Sequence, residues 1–96
     1  MSKHSSSILA LSTSYSADQD ILAGLSGYEI TLDDAAIAFS VRWTDDATAT
    51  SSPDGEVAVP AGASYLFDFG GSLNDAKKVA IKAASGTPNA TLTEIN

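Results

Sequence analysis

Residues 36–45, Ala36-Ile37-Ala38-Phe39-Ser40-Val41-Arg42-Trp43-Thr44-Asp45, alternate without a break. Ile37, Phe39, Val41 and Trp43 fall on one side; Ala38, Ser40, Arg42 and Thr44 fall on the other. A period of two belongs to a β-strand with one face against a core and one towards water. No other stretch places four large apolar residues in register, and this one holds the only Trp. Whatever the chain becomes, it is built around this strand.

Other segments follow the same rule. Tyr28-Glu29-Ile30-Thr31-Leu32 alternates, and the short link through Asp33, Asp34 and Ala35 predicts that it pairs antiparallel with the central strand. Glu56–Val59, Ser64–Phe69, Lys78–Ala83 and Ala90–Ile95 read as further strands, the last rich in Thr and β-branched residues. Ile8–Thr13 reads as a short strand or edge arm, behind a polar, Ser-rich tail over residues 1–7. Pro53-Asp54-Gly55, Pro60-Ala61-Gly62, Gly70-Gly71 and Ser85-Gly86-Thr87-Pro88-Asn89 punctuate the runs as turns. Ile21–Leu25 contains a glycine and is read as irregular. The fold expected is all-β: a small antiparallel β-sandwich of about seven short strands. A flexible N-terminal arm (1–13) precedes one sandwich domain (14–96). The core is assigned to Ile37, Phe39, Val41, Trp43, Tyr65, Phe67, Phe69, Val79 and Ile81, each in phase with the apolar residues of its own strand.

Composition narrows the function. The 96 residues suffice for one domain. Apolar residues make up 44% of them, but much of that is Ala, so large core side chains are few and association with a partner is expected to complete the core. Without Cys there is no disulfide, thiol nucleophile or thiolate metal site. The apolar run Ile8–Leu11 is too short for a signal-peptide core or a membrane span, which leads to an expectation of cytoplasmic synthesis. A net charge of −7 argues against nucleic acid and against an anionic membrane surface as partners. The charge is uneven: Lys77, Lys78 and Lys82 cluster near the C-terminus, whereas ten of the twelve acids lie between Asp18 and Asp68. Solubility accounts for the acidic surplus. The lysine cluster is the segment that would meet acidic residues between subunits.

Chemistry is hard to find. His4, the one histidine, sits in the Ser-rich tail with nothing to orient it as a base. Asp33-Asp34 and Asp45-Asp46 are adjacent pairs, which point apart on extended backbone. The acids of the Asp45–Glu56 loop fit no calcium-loop spacing. Gly70-Gly71 lacks the Lys-Ser/Thr and the helix of a phosphate cradle. No catalytic, cofactor-binding or metal-binding residue is assigned, no cofactor is expected, and an enzyme is not expected. An alternative is a carbohydrate-binding or fibre-associated module with Tyr15, Tyr28 or Tyr65 in a shallow glycan site.

One resemblance goes further. It rests on Ser40-Val41-Arg42-Trp43-Thr44, the Thr-rich stretch Asp45–Ser51, Asp54-Gly55, Pro60-Ala61-Gly62 and Ser64-Tyr65. It continues through Val79-Ala80-Ile81-Lys82-Ala83, Gly86-Thr87 and Ala90-Thr91-Leu92-Thr93. This series over residues 36–95 resembles small virion proteins of tailed bacteriophages, head decoration or cement proteins among them. Trp43 stands where a Phe is more usual and Lys82 where an Arg is. The resemblance implies a β-sandwich seated on a capsid lattice as a trimer. It would bind the major capsid protein and stabilise the head, with no nucleic-acid or membrane partner, and would be located in the virion. A tail or neck component is the related alternative. Ile8, Leu9 and Leu11 of the arm, with Lys77, Lys78 and Lys82, are the tentative interface.

Overall fold

The computed structural model describes residues 4–20, 27–44, 55–68 and 78–95. Ile21–Leu25, the Thr-rich loop to Asp54, Phe69 and Lys77 lie outside the described residues. Among the described residues there are eight strands: β1 (His4–Ala10), β2 (Gln19–Asp20), β3 (Gly27–Leu32), β4 (Phe39–Thr44), β5 (Gly55–Val59), β6 (Tyr65–Asp68), β7 (Lys78–Ala83) and β8 (Asn89–Ile95). They form two antiparallel sheets of four, ordered β1-β8-β3-β6 and β2-β7-β4-β5.

That order has a simple logic. β1 pairs with β8, β2 with β7, β3 with β6 and β4 with β5, so the chain is a long hairpin closed at β4–β5. Folding this hairpin across itself sends alternate pairs to opposite layers, and β3–β8 and β4–β7 then join the pairs within each layer. Eight strands wound this way are a jelly roll. The apolar faces meet between the layers. Ile30, Val41, Val79 and Ile81 are fully buried there, with Tyr28, Phe39, Phe67 and Leu92 around them. Ile37, Trp43 and Tyr65 are half-buried and pack against this cluster.

Three points differ from the sequence reading. First, β3 and β4 are not neighbours but lie in opposite sheets. The link between them folds on itself: Asp34 accepts from the Ala36 N–H through Oδ1 (2.9 Å) and from the Ile37 N–H through its carbonyl (3.2 Å). Asp33 ties the link to β8, exchanging bonds with Asn89 at 2.9 and 3.0 Å. The chain therefore crosses between layers, and the central strand begins at Phe39, with Ile37 in the crossover. Second, Gln19–Asp20 is an eighth strand of two residues, with no apolar signal of its own. Third, residues 4–7, read as part of a polar tail, extend the strand expected from Ile8 into β1, hydrogen-bonded to β8 from His4↔Ile95 to Ala10↔Asn89.

The link from β5 to β6 shows why a glycine is required. The Ala63 N–H donates to the Pro60 carbonyl at 3.2 Å, and Gly62 sits at φ +84°. Positive φ at the third position of a turn with Pro before it defines a type II turn, which favours Gly.

Candidate functional site

The described residues offer three places where chemistry or recognition could reside. The first is the outer face and edge of the β1 sheet. Period two puts Ser6, Ile8 and Ala10 of β1 on that face, beside Thr91, Thr93 and Ile95 of β8, Glu29 and Thr31 of β3, and Leu66 of β6. Ile8 is 71% exposed and Leu66 50% exposed. Ile95 and Leu66 adjoin Gly27 on this face: a Cβ there would lie at ordinary contact distance, 3.5 Å, from a terminal methyl of each. The far edge of β1 pairs with nothing among the described residues. Edges are usually blunted by brevity, Pro or charge. β2 and β6 are short, and β5 runs into Pro60. β1 has seven residues, His-Ser-Ser-Ser-Ile-Leu-Ala, with neither Pro nor Lys, Glu or Asp.

The second is a polar clip on the outer face of the other sheet. Residues 12–16 run beside β7, joined by Ala83 N–H to the Ser12 carbonyl (2.8 Å) and Ser16 N–H to the Ile81 carbonyl (2.9 Å). This places Tyr15 over the sheet. The Arg42 guanidinium lies 4.0 Å from its ring centroid and the Lys82 ammonium 4.8 Å away. Its hydroxyl donates to Glu56 Oε2 at 2.5 Å, which also accepts from Arg42 Nε at 3.0 Å. The Tyr15 hydroxyl is harder to ionise than usual, through burial first and then the bond to Glu56. The Glu56 carboxyl is held below its ordinary range by the bonds from Tyr15 and Arg42, in that order. The pair is partly exposed, so its role is to pin residues 12–16 rather than to stabilise strongly.

The third is a cleft of about 130 Å³ between the sheets, at the side where β1 and β2 form adjoining edges. Ser7, Gln19, Asp20, Tyr28, Leu92 and Glu94 line it. Glu94 is in phase with Ala90 and Leu92, so it faces inward, opposite Tyr28. Tyr28 is only 3% exposed, its ring tilted against Phe67 with centroids 6.3 Å apart. Its pKa is pushed up to about 12, by burial first and then by Glu94 and Asp20. The sign follows: the unfolded chain ionises from about pH 10, while the folded chain resists until about 12. Stability should therefore be unaffected below pH 10 and fall by up to about 3 kcal/mol as pH rises towards 12. Urea unfolding at stepped alkaline pH is the check, and Tyr28→Phe should flatten the slope.

The residues singled out from the sequence scatter over these places. Ile8 is on the open face. Leu9 is half-buried against the core, and Leu11 is 4% exposed inside it, in phase with Leu9, which removes Leu11 from any contact surface. Lys78 pairs with Asp20, and Lys82 lies over Tyr15. Of the tyrosines considered for a glycan, Tyr28 is buried, Tyr65 stacks on Trp43 at 6.0 Å, and Tyr15 is capped by two cations. No group of three or more His, Cys, Asp or Glu able to hold a metal occurs among the described residues. Sequence reasoning missed Glu94 and Asp20; the inward phase of Glu94 with Leu92 was the available signal.

The sequence matches no protein-family model and no curated protein. Solved structures share the fold. A Bacillus endospore appendage protein, from a family described as disulfide-linked pili, aligns over 99% of this chain and 85% of its own, with 14% identity and a TM-score of 0.52. PirA aligns over 95% and 93%, with 8% identity and a TM-score of 0.53. FeII HppE aligns over 95% of this chain but 43% of its own, with 13% identity and a TM-score of 0.54. At such identities the likeness shows the fold alone. The linkage named for the pili has no counterpart here, because this chain has no Cys.

Proposed function

We propose that this chain is a non-enzymatic structural protein of a phage virion, a head decoration protein that binds the major capsid protein and itself, as a trimer on the capsid lattice. The observation that carries the reading is the β1 edge: seven residues without a blunting device, with the exposed Ile8 among them. Such an edge suits strand addition, in which main-chain bonds supply affinity and alternate side chains supply specificity. The resemblance over residues 36–95 supplies the setting. The acidic surface keeps the free subunit soluble until it meets the lattice.

Capsids of the same phage, prepared without this protein, provide the test. The purified chain should sediment with them at saturating, countable stoichiometry. Ile8→Lys should leave thermal stability within about 0.5 kcal/mol, because the side chain is exposed. The same change should weaken capsid binding at least about tenfold, since a charge would enter the contact. A chain that never associates with those capsids removes the proposal; one that forms filaments unaided points to a fibre subunit instead.

A further inference from the structure

We propose that in solution the free edge of β1 pairs with the same edge of a second copy of this chain. The contact is a two-fold antiparallel ladder centred on Ile8, which joins the two β1 sheets into one. It concerns the free chain and does not depend on the virion reading.

The backbone shows which groups are free. The Leu11 N–H donates to the Pro88 carbonyl at 2.9 Å, one step beyond the pair Ala10↔Asn89. Leu11 therefore turns its backbone groups towards β8, and in an antiparallel ladder so do Leu9 and Ser7, at steps of two. Ser6, Ile8 and Ala10 turn theirs the other way, to the edge that pairs with nothing among the described residues. All three are exposed. The free edge stops at Ala10, because Ser12 has turned away to give its carbonyl to the Ala83 N–H.

These residues set the register. About the two-fold axis, Ile8 faces Ile8 of the second copy and Ser6 faces its Ala10, and each pair exchanges both main-chain bonds. A slip of one residue would set Ile8 against Ser7, whose backbone groups point to β8. A slip of two keeps the bonds but moves Ile8 off its counterpart. The centred register alone sets Ile8, 71% exposed in the single chain, directly against an apolar side chain, with small Ser6 and Ala10 on either side.

The occupant follows from the edges available. β2 has two residues, β6 four, and β5 runs into Pro60, so none matches the length of β1. A second β1 does. It brings no Lys, Arg, Asp or Glu to the seam, and it closes the pair, leaving no edge of this kind to grow from. One strand against one buries less than a stable interface needs, so the dissociation constant is on the order of 0.1 mM. Stability measured at about 1 µM is then that of the single chain.

Sedimentation equilibrium of the full chain, from micromolar to millimolar concentration, is the test. The native mass should double and stop there. Added salt should tighten the pair, since both copies are acidic and no opposite charges meet in the seam. Ser6→Pro removes a free N–H but no bond to β8, so the chain should fold as before while pairing weakens at least about tenfold. Ile8→Lys should weaken it as much through its charge. Because the chain has no Cys, single cysteines read the register in a glutathione redox buffer. Ile8→Cys should form a linked dimer, as facing Cα atoms lie about 5.5 Å apart. Ser6→Cys should not, because its counterpart lies about 14 Å away along the strand. The proposal is overturned if the chain stays single at millimolar concentration, if its mass passes that of a dimer, or if salt weakens the pair, which would place the contact on the lysines. It is equally overturned if Ser6→Pro and Ile8→Lys pair like the parent, or if Ser6→Cys links as readily as Ile8→Cys.

Discussion

Ile81→Ala should lower the stability of the chain by about 2–5 kcal/mol. Ile81 is fully buried in β7, between Val79 and Ala83 on the inward phase and opposite Val41 across the sheet. Removing its branched side chain deletes the transfer energy of three carbons and leaves a void that the crossed sheets cannot close, because both are fixed by their ladders. Ile8→Ser is the matched control. It deletes the same three carbons from a side chain that is already in water, and should lower the unfolding free energy by less than about 0.5 kcal/mol. Equilibrium unfolding followed by Trp43 fluorescence reads both. Equal losses at the two positions would show that β1 is covered in the isolated chain, and would remove the exposed edge on which the proposed function rests.

That contrast also shows what the sequence can and cannot convey. In Ile8-Leu9-Ala10-Leu11 apolar residues occupy both phases, so periodicity does not say which face looks inward. The pairing of Leu9 with Ala90 settles it, and that pairing lies about 80 residues away along the chain. β4 was legible because its alternation is clean over Phe39–Trp43 and its turn boundaries are chemically marked. The layer assignment of β3 and β4 was not. Both strands present an apolar face to the same core whether they are neighbours in one sheet or face each other across two, so the hydrophobic pattern is identical in both cases. Only partners late in the chain, β8 for one and β7 for the other, distinguish them. β2 is invisible for a related reason: two polar residues become a strand because β7 offers them an edge. Ala80 is the same lesson in one side chain. Its phase points outward with Arg42 and Lys82, yet it is fully buried, on the face that Tyr15 and both cations cover. The cleft was only half legible, since Glu94 alternates with Leu92 in plain sight whereas Asp20 arrives there by pairing.

Trp43→Ala should cost about 3 kcal/mol, towards the lower end for a large aromatic because the ring is only half-buried. The ring stacks on Tyr65 with centroids 6.0 Å apart, and meets Phe67 edge-on at 5.4 Å; Tyr65 and Phe67 also meet edge-on at 4.9 Å. Three rings thus join β4 to β6 across the layers, and such pairs contribute beyond their buried area. Gly55, opposite Trp43 in the β4–β5 ladder, makes room for the indole: a Cβ there would lie 2.5 Å from Cε2 and 2.9 Å from Cη2. Gly55 is therefore required by close approach rather than by backbone angle, and Gly55→Ala should cost about 1–3 kcal/mol while displacing the ring and reddening its emission. The two changes should not add. Once the indole is gone the new methyl enters the vacated space, so the double variant should be about as stable as Trp43→Ala alone, a coupling of about 1–3 kcal/mol, the full cost of the glycine change. Circular dichroism with urea gives the four stabilities of the cycle without relying on the Trp signal. Simple additivity would mean that the indole does not rest on Gly55, and that β5 is held at the edge of its sheet by the ladder alone.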